Sequence, residues 1–526
     1  MSQIASNPVG LAQRIVVLQA ANEDLRDENK SLRQQLNWLK REVFGRKSEK
    51  IIFESPDQLA LGFLDNEGQP SLARETEEIT YTRGKKRRDN TVTDSGLRFD
   101  ESVPVEVIDV PAPELSGDKA EDYEVISEKI TRRLAQRPGS YVVLEYHQPV
   151  VKKKSDKTLT TVIAPGAVLE RAFADVSFLA GLLVDKFRYH MPLYRQHQRL
   201  ADAGITLSRV TLTNYALRSI ELLRPIYEAQ WRHILKSRVL AIDETPVKAG
   251  RKQKQKQKQK RKQHGQMKTT YFWPVYGEAH EVCFTWSETR ASSHLVELLG
   301  DFKGVLLSDG YIAYDSYAQN RPEVTQAGCW AHARRFFERA QDSDPVALDA
   351  LKAIAAIYRV EKETRKRELD RTEILEYRSI YAKPLVDDFL EWCRVERLRA
   401  DLADSDLLAK ALSHVIKNKD KLQVYLGDPD VPIDTNHLER SLRVIPMGRK
   451  AWLFCWTEIG AELVGIIQSL LSTCRLQGVD PYTYLVDVLQ RIADHPAAQV
   501  EDLTPRRWKE LFADDPMRSD LSRVAG

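Results

Sequence analysis

The sequence predicts a multidomain protein that joins an α/β unit to all-α units, and three observations carry that reading. The 526 residues exceed what one hydrophobic core usually organises. Between positions 238 and 330, short apolar runs rich in β-branched and aromatic residues flank a helical stretch, the pattern of a sheet with a crossover helix. The other segments carry helical periodicity, clearest at the N-terminus.

Composition narrows the function classes. With 42% hydrophobic residues the chain can bury a sizeable core, and a formal net charge of +3 sends any search for a nucleic-acid surface to local clusters. Its five cysteines, Cys283, Cys329, Cys393, Cys455 and Cys474, form no Cys-x-x-Cys pair. That pattern argues against a disulfide framework and against a four-cysteine zinc site, and it fits a cytoplasmic protein that is nucleoid-associated when on DNA. The longest apolar runs, such as Phe178–Val184, are too short to span a bilayer, so no membrane partner is expected.

From the N-terminus, residues 10–45 predict a leucine-zipper-like coiled coil. Leu11, Leu18, Leu25, Leu32 and Leu39 recur every seven residues, and Ile15, Asn22, Asn29, Leu36 and Val43 fill the other seam position. Asn22 and Asn29 pair across a parallel two-stranded seam and so specify register, which makes a homo-oligomer the expected state. Residues 46–95 lose periodicity, pass through Lys85-Lys-Arg-Arg88 and read as linker. A small β-containing domain is expected over 96–165, centred on the alternating run Ser140–His147.

Residues 166–236 predict a helical, helix-turn-helix-like DNA-binding domain. An amphipathic helix from Leu193 ends at Gly204, and Ser208 is placed to cap a second helix from Arg209. That helix offers Arg209, Thr211, Thr213 and Asn214 to a major groove, so double-stranded DNA is the expected partner.

The strongest chemical signal lies in three acids at element ends. Val239–Ile242 reads as a buried strand that delivers Asp243, and Pro246 is expected to force the chain out of the sheet. Gly304–Ser308 repeats the design with Asp309. A helix near Ile433–Arg443 sets Asn436, Glu439, Arg440 and Arg443 on one face and Leu438, Leu442 and Ile445 on the other. Strands at 270–277, 282–286 and 324–330 and a helix at 292–299 complete the order: a three-strand meander, a crossover helix, two more strands. That order is RNase H-like and reads 237–337 as the first part of a catalytic core; 433–495, with the Glu439 helix, reads as its second part, charged helical sequence fills 338–432 between them, and 496–526 reads as a C-terminal tail.

Three carboxylates make a hard oxygen site suited to a pair of Mg²⁺ or Mn²⁺ ions, which would activate a water or a DNA 3′-hydroxyl for phosphoryl displacement. Asp243, Asp309 and Glu439 are the expected catalytic and metal residues. Glu244 rivals Asp243, but strand alternation turns it away if Asp243 points in. Cys329 and His332 have a metal-like spacing, yet without a second pair they read as packing plus one hydrogen-bonded histidine. Lys248, Arg334, Arg335, Arg440, Arg443, Arg449 and Lys450 are expected phosphate contacts.

The set Asp243-Glu-Thr-Pro246, Ser308-Asp-Gly-Tyr311, Gly328–Arg335, Asn436–Arg443 and Gly448–Phe454 resembles the transposases of the insertion-sequence-66 family. The zipper followed by Phe44–Lys50, and Gly478–Tyr484, are similar to that family's terminal signatures, so the resemblance runs from about 15 to 495. It implies a bacterial DDE-type transposase with the triad Asp243, Asp309 and Glu439, helped by accessory proteins encoded by the same element. Two departures stand out. Family members commonly carry a small zinc module, whereas the stretch 90–165 has no cysteine, so zinc is not expected. A Lys/Gln run at 251–262 is inserted between the first strands and reads as a mobile basic loop. A DNA-binding regulator of decayed catalytic fold, or an RNase H-like nuclease that cuts without joining, are the alternatives.

Overall fold

The computed structural model describes residues 97–524, apart from 102, 116–121, 138, 156, 163, 252–266, 320 and 453–456. The expected coiled coil at 10–45, the linker at 46–95 and nearly all of the Lys/Gln run lie outside the described residues.

A short strand, β1 (Arg98–Phe99), precedes a four-stranded sheet of β2 (Val105–Asp109), β3 (Tyr123–Arg137), β4 (Ser140–Lys153) and β5 (Leu159–Thr161). β4 pairs parallel with β2 and antiparallel with β3 and β5. Its run Tyr141–Leu144 is continuously apolar because both faces are covered. Tyr141 and Val143 join the main core, while Val142, Leu144 and Tyr146 pack with Leu521 near the C-terminus.

Helices α1 (Val176–Phe187), α2 (Leu193–Asp202), α3 (Arg209–Leu222) and α4 (Arg224–Ile234) follow. Ser208 caps α3 as expected, its hydroxyl accepting from the Thr211 N–H at 3.0 Å. The turn before it is not only a turn: β6 (Ile205–Thr206) pairs antiparallel with β1. Gly204 sits at φ +78°, where a side chain would also meet the Asp100 carboxylate 2.3 Å away, so this joint requires glycine.

The central sheet contains β7 (Val239–Ile242), β8 (Thr245–Arg251), β9 (Met267–Gly277), β10 (Glu281–Ser287), β11 (Gly304–Ser308) and β12 (Val324–Gly328). Its order is β10-β9-β7-β11-β12, with β8 also on β9. β7, β11 and β12 run parallel, and β9 runs antiparallel to β7 and β10. One face buries Leu240, Ile242 and Leu306 under α5 (Ser292–Leu299) and α6 (Ile312–Ala318); the other buries Val239, Ala241, Val305 and Leu307. Each such fully buried Leu or Ile contributes roughly 1.5–3 kcal/mol, which anchors the strand ends.

Pro246 does not end the sheet structure. It is the second residue of β8 and lies opposite Tyr271 of β9, in the register already set by Ile242 opposite Val275. β8 is bonded to β9 alone among named strands, and a strand edge tolerates a residue without an N–H. The interruption falls at Asp243 and Glu244 instead. There the Asp243 N–H reaches the Pro274 carbonyl at only 3.4 Å, and Pro274 has no N–H to return.

Beyond the sheet come α7 (Trp330–Ala340), α8 (Ala347–Lys366), α9 (Arg371–Tyr377), a π-helical turn at Arg378–Ala382, α10 (Lys383–Glu396) and α11 (Leu407–Lys417). The π turn carries Arg378, which donates to both carboxylate oxygens of Glu361 at 2.9 and 2.8 Å, with each side chain only 4% exposed. Arg378 also donates to the Tyr425 and Asp428 carbonyls, at 2.6 and 2.9 Å.

The chain then forms α12 (Asn436–Leu442), α13 (Val444–Trp452), α14 (Glu458–Leu476), α15 (Pro481–Arg491) and α16 (Pro505–Leu511). Within α14, Ile459–Leu476 is long and apolar enough to cross a membrane by length and composition, a run longer than those expected from the sequence. Here it is mostly buried, against β10. Gly465 lets its backbone come close to the Phe284 carbonyl, and the hydroxyls of Ser469 and Thr473 accept from the Phe284 and Val282 N–H groups at 2.8 and 3.1 Å. Gly, Ser and Thr at four-residue spacing thus let a helix cover the open edge of a sheet.

Candidate active site

The acids meet at the C-terminal ends of the parallel strands. Asp243 lies in the break after β7, its Oδ1 accepting from the Glu244 N–H at 2.7 Å. Asp309 follows β11, its Oδ1 accepting from the Tyr311 N–H at 2.9 Å, and Gly310 makes the turn at φ +86°. Glu439 sits in the first turn of α12, behind Asp434, which accepts from the Asn436 N–H at 3.0 Å and from the Tyr358 hydroxyl at 2.8 Å.

These positions produce two overlapping sets of potential ligands. One oxygen each from Asp243, Glu244 and Asp309 lie within 4.8 Å of one another, and so do ligand atoms of Asp243, His332 and Glu439. Asp243 belongs to both sets, so the three expected acids are joined through it. Burial first, then the Glu244 charge, with smaller pushes from Asp309 and Glu439, raises the Asp243 carboxyl to about 7 against the opposing Glu244 N–H. Burial likewise raises Glu244.

Glu244 is closer to the centre than alternation suggested. It leans toward the face of Tyr314, whose hydroxyl donates to it at 2.6 Å, and it forms an ion pair with Arg290. Its side chain is 2% exposed, yet one carboxylate oxygen still reaches the Asp243 and Asp309 set. Alternation fixes the Cα–Cβ direction, but the longer Glu side chain returns over the strand end.

His332 is a hydrogen-bonded histidine, as expected, and it also lies in a candidate ligand set. Position 332 faces the strand ends from the first turn of α7, whereas Cys329 precedes that helix and contacts the Thr435 hydroxyl at 3.2 Å. Burial raises the Cys329 thiol to about 11, so it acts as packing, and no described cluster joins it to His332. Burial and then the Arg335 charge lower the His332 pKa, and its Nε2 accepts from Arg335 at 3.0 Å. Arg335 also pairs with Glu439, the other half of the same set. Glu439 Oε1 and His332 Nδ1 are both buried without a hydrogen-bond partner. The Glu439 oxygen, an unpartnered acceptor among clustered carboxylates, fits a bound divalent cation, whereas His332, whose Nε2 accepts from Arg335, carries its proton on Nδ1.

The helical segment between Asp309 and Glu439 contacts this centre. Asn418 and His414 lie 3.4 and 3.6 Å from where a side chain at Gly310 would begin, and Lys421 pairs with Asp315 of α6. Burial, then the neighbouring His332, lowers His414 to about 4. No local motif in the sequence marks His332, Arg290 or His414 as neighbours of the acids, because their proximity depends on packing between distant elements, whereas Glu244 directly follows Asp243.

The expected phosphate contacts do not form one surface. Arg334 pairs with Glu338 at 2.8 Å, Lys248 donates to the Thr269 hydroxyl at 2.6 Å, and Arg449 donates to the Pro246 carbonyl. The single face expected for α12 is divided between two recesses. Asn436 shares a recess with Arg334 and Arg335, whereas Arg440 and Arg443 line a different cavity. Arg209 and Asn214 are exposed on α3, and the Thr211 hydroxyl lies 2.9 Å from that of Ser208. The Lys450 side chain lies outside the described set.

Residues 171–463 match the model of the transposase IS66 family. The chain belongs to the IS66 transposase family. Residues 469–506 match the IS66 C-terminal element, and 31–108 match the element described as transposase C of IS166 homeodomain. The chain is similar to two uncharacterized proteins of Sinorhizobium fredii. It is 28% identical to y4jD over 91% of this chain and 94% of that one, and 29% identical to y4hP over 74% and 72%. Among solved structures, the Drosophila P element transposase strand transfer complex matches with TM-score 0.28 and 11% identity, over 57% of this chain and 92% of that one. The Mos1 transposase paired-end complex with left transposon end matches with TM-score 0.14 and 12% identity, over 52% and 83%. Neither adds to the assignment, which rests on the IS66 match. Membership in that family implies nuclease or transferase activity on DNA.

Proposed function

We propose that this IS66-family transposase cleaves DNA at element ends and joins the released strand to a target, using divalent ions held by Asp243, Asp309 and Glu439. The observation that carries this reading is the pair of overlapping ligand sets sharing Asp243. The strand order β10-β9-β7-β11-β12, with β9 antiparallel to its neighbours, supports an RNase H-like core over 237–337 and 433–495 with the helical insertion 338–432 between. The exposed residues of α3 support DNA binding by the 166–236 region, and the heptads at 10–45 support pairing of protomers; accessory proteins of the same element would complete the assembly.

Mg²⁺ or Mn²⁺ bound here would supply charge neutralisation at a phosphodiester and a more acidic water or 3′-hydroxyl. The protein's own groups do the positioning. Asp243 and Asp309 present oxygens from rigid strand ends, and Glu439 closes the set from α12. Glu244, held by Tyr314 and Arg290, extends it on one side, and Arg335 bridges His332 and Glu439 on the other.

The test is strand transfer of a labelled DNA end by the full chain with Mg²⁺ or Mn²⁺. Asp309→Asn should lower joining by about 10³-fold or more while DNA binding persists, since it removes a charged metal ligand. Wild-type DNA binding with no metal-dependent chemistry would instead identify a regulator, and cleavage without joining a nuclease.

A further inference from the structure

We infer that the cavity between α1, α12, α13 and α14, about 350 Å³ in volume, holds one unstacked nucleotide of a bound DNA strand, with its phosphate on arginine side chains. This deepens the proposed DNA chemistry and rests on it. Four guanidinium groups line the cavity, those of Arg188, Arg440, Arg443 and Arg475, and no acidic side chain lines it. None of the four has an ion-pair partner among the described residues. Burial and then the Arg188 charge lower the Arg475 pKa, the sign of cations gathered without a counter-charge. A phosphate supplies that charge, and its oxygens match the guanidinium fork.

Phosphate alone does not explain the rest of the lining. Phe187 and Leu471 give the cavity an apolar wall. Ser472, only 4% exposed, is among the lining residues, and its buried hydroxyl has no hydrogen-bond partner. Apolar faces, a polar edge and an attached anion are together the chemistry of a nucleotide. The volume lies at the lower end of the roughly 300–1,000 Å³ of small-molecule sites, which suits one nucleotide and excludes a duplex.

The location gives the pocket a use. Arg440 directly follows Glu439 on α12, so the cavity and the acidic centre share one helix. A nucleotide drawn from the stack and held here would fix the strand next to the phosphodiester placed at the acids. Unstacking is least costly at an unpaired end, so DNA with a single-stranded overhang should bind better than blunt DNA.

The experiment measures binding of the full chain, in chelator, to a fluorescent duplex with a 3′ or 5′ overhang and to the same duplex with blunt ends. The wild type should favour at least one overhang by about tenfold, equivalent to roughly 1.4 kcal/mol. Arg188→Gln combined with Arg475→Gln should remove that preference while leaving blunt-end binding within about twofold. Ser472→Leu, which fills the cavity without changing charge, should remove it as well; if that variant does not fold, the arginine pair decides. Equal wild-type binding to blunt and overhanging DNA, or equal loss on both in the variants, would reduce the arginines to ordinary backbone contacts and overturn the pocket. Saturation by free deoxynucleoside monophosphate at micromolar concentration would overturn the strand assignment in favour of a soluble nucleotide. No DNA binding at all would overturn the transposase reading itself.

Discussion

The protein buries charge in two ways, and the contrast separates architecture from chemistry. In the helical segment, Arg378 and Glu361 form a one-to-one pair with both guanidinium edges engaged and the remaining protons on backbone carbonyls. At the strand ends, Asp243, Glu244, Asp309 and Glu439 crowd together, and among the described residues Arg290 and Arg335 form their ion pairs. The first arrangement is complete without a ligand. In the second, burial and then repulsion from Glu244 raise the Asp243 carboxyl to about 7, and Glu439 Oε1 has no partner. Unbalanced charge next to orphaned atoms marks where something binds, whereas balanced charge marks where the fold is pinned.

Neutralising one member of each cluster should therefore act in opposite directions on stability. Asp243→Asn should abolish strand joining, by about 10³-fold or more, yet raise the melting temperature of the chelated protein because it relieves repulsion. A fall in melting temperature would show that the acidic centre is structural. Glu361→Gln should do the reverse. It leaves Arg378 buried without its counter-charge, a loss of about 3–5 kcal/mol, read as a lower denaturant midpoint. An unchanged midpoint would mean that the carbonyl partners alone hold Arg378.

The same comparison carries a pH dependence. The folded Asp243 carboxyl titrates near 7 against an ordinary 3.8, so between those values the native state holds more proton than the unfolded chain. Its contribution to the stability of the metal-free protein therefore declines as pH rises from about 4 to about 7. Thermal melts in chelator across that range should show a shallower slope for Asp243→Asn than for wild type, and added Mn²⁺ should restore stability at the upper end by binding the native state. The smallest effect is expected at Arg335, which holds Glu439 where a metal would compete. Arg335→Gln should lower the Mn²⁺ concentration for half-maximal binding by a few-fold, on the order of 1 kcal/mol, measured by titration calorimetry. Weaker Mn²⁺ binding would show that Arg335 orients Glu439 instead of competing for it.

How much could be read beforehand differs by element. The strands carrying Asp243 and Asp309 were recognisable because apolar β-type runs end abruptly in an acid, and Ser208 was recognisable as a cap because its hydroxyl serves an N–H three residues on. Pro246 misled, since a proline also fits a strand whose edge is free and whose break is set by Pro274 on the neighbouring strand. Glu244 misled because alternation describes where a side chain starts and not where its carboxylate finishes. The length of α14 passed unnoticed because its Gly, Ser and Thr face interrupts the apolar run, and that face is what fits the edge of β10.

Residue types and their spacing alone determined the strands that end in Asp243 and Asp309, the helix capped by Ser208, the three acids and the family motifs, because those features depend on interactions within a few positions of chain. Tertiary structure alone decided that His332 and Glu244 join the acids, that Arg335 occupies Glu439, and that Arg440 and Arg443 face a cavity shared with Arg188 and Arg475. These meetings connect segments far apart in sequence, and their geometry is set by packing helices against both faces and one edge of a sheet, a long-range outcome that local spacing does not encode.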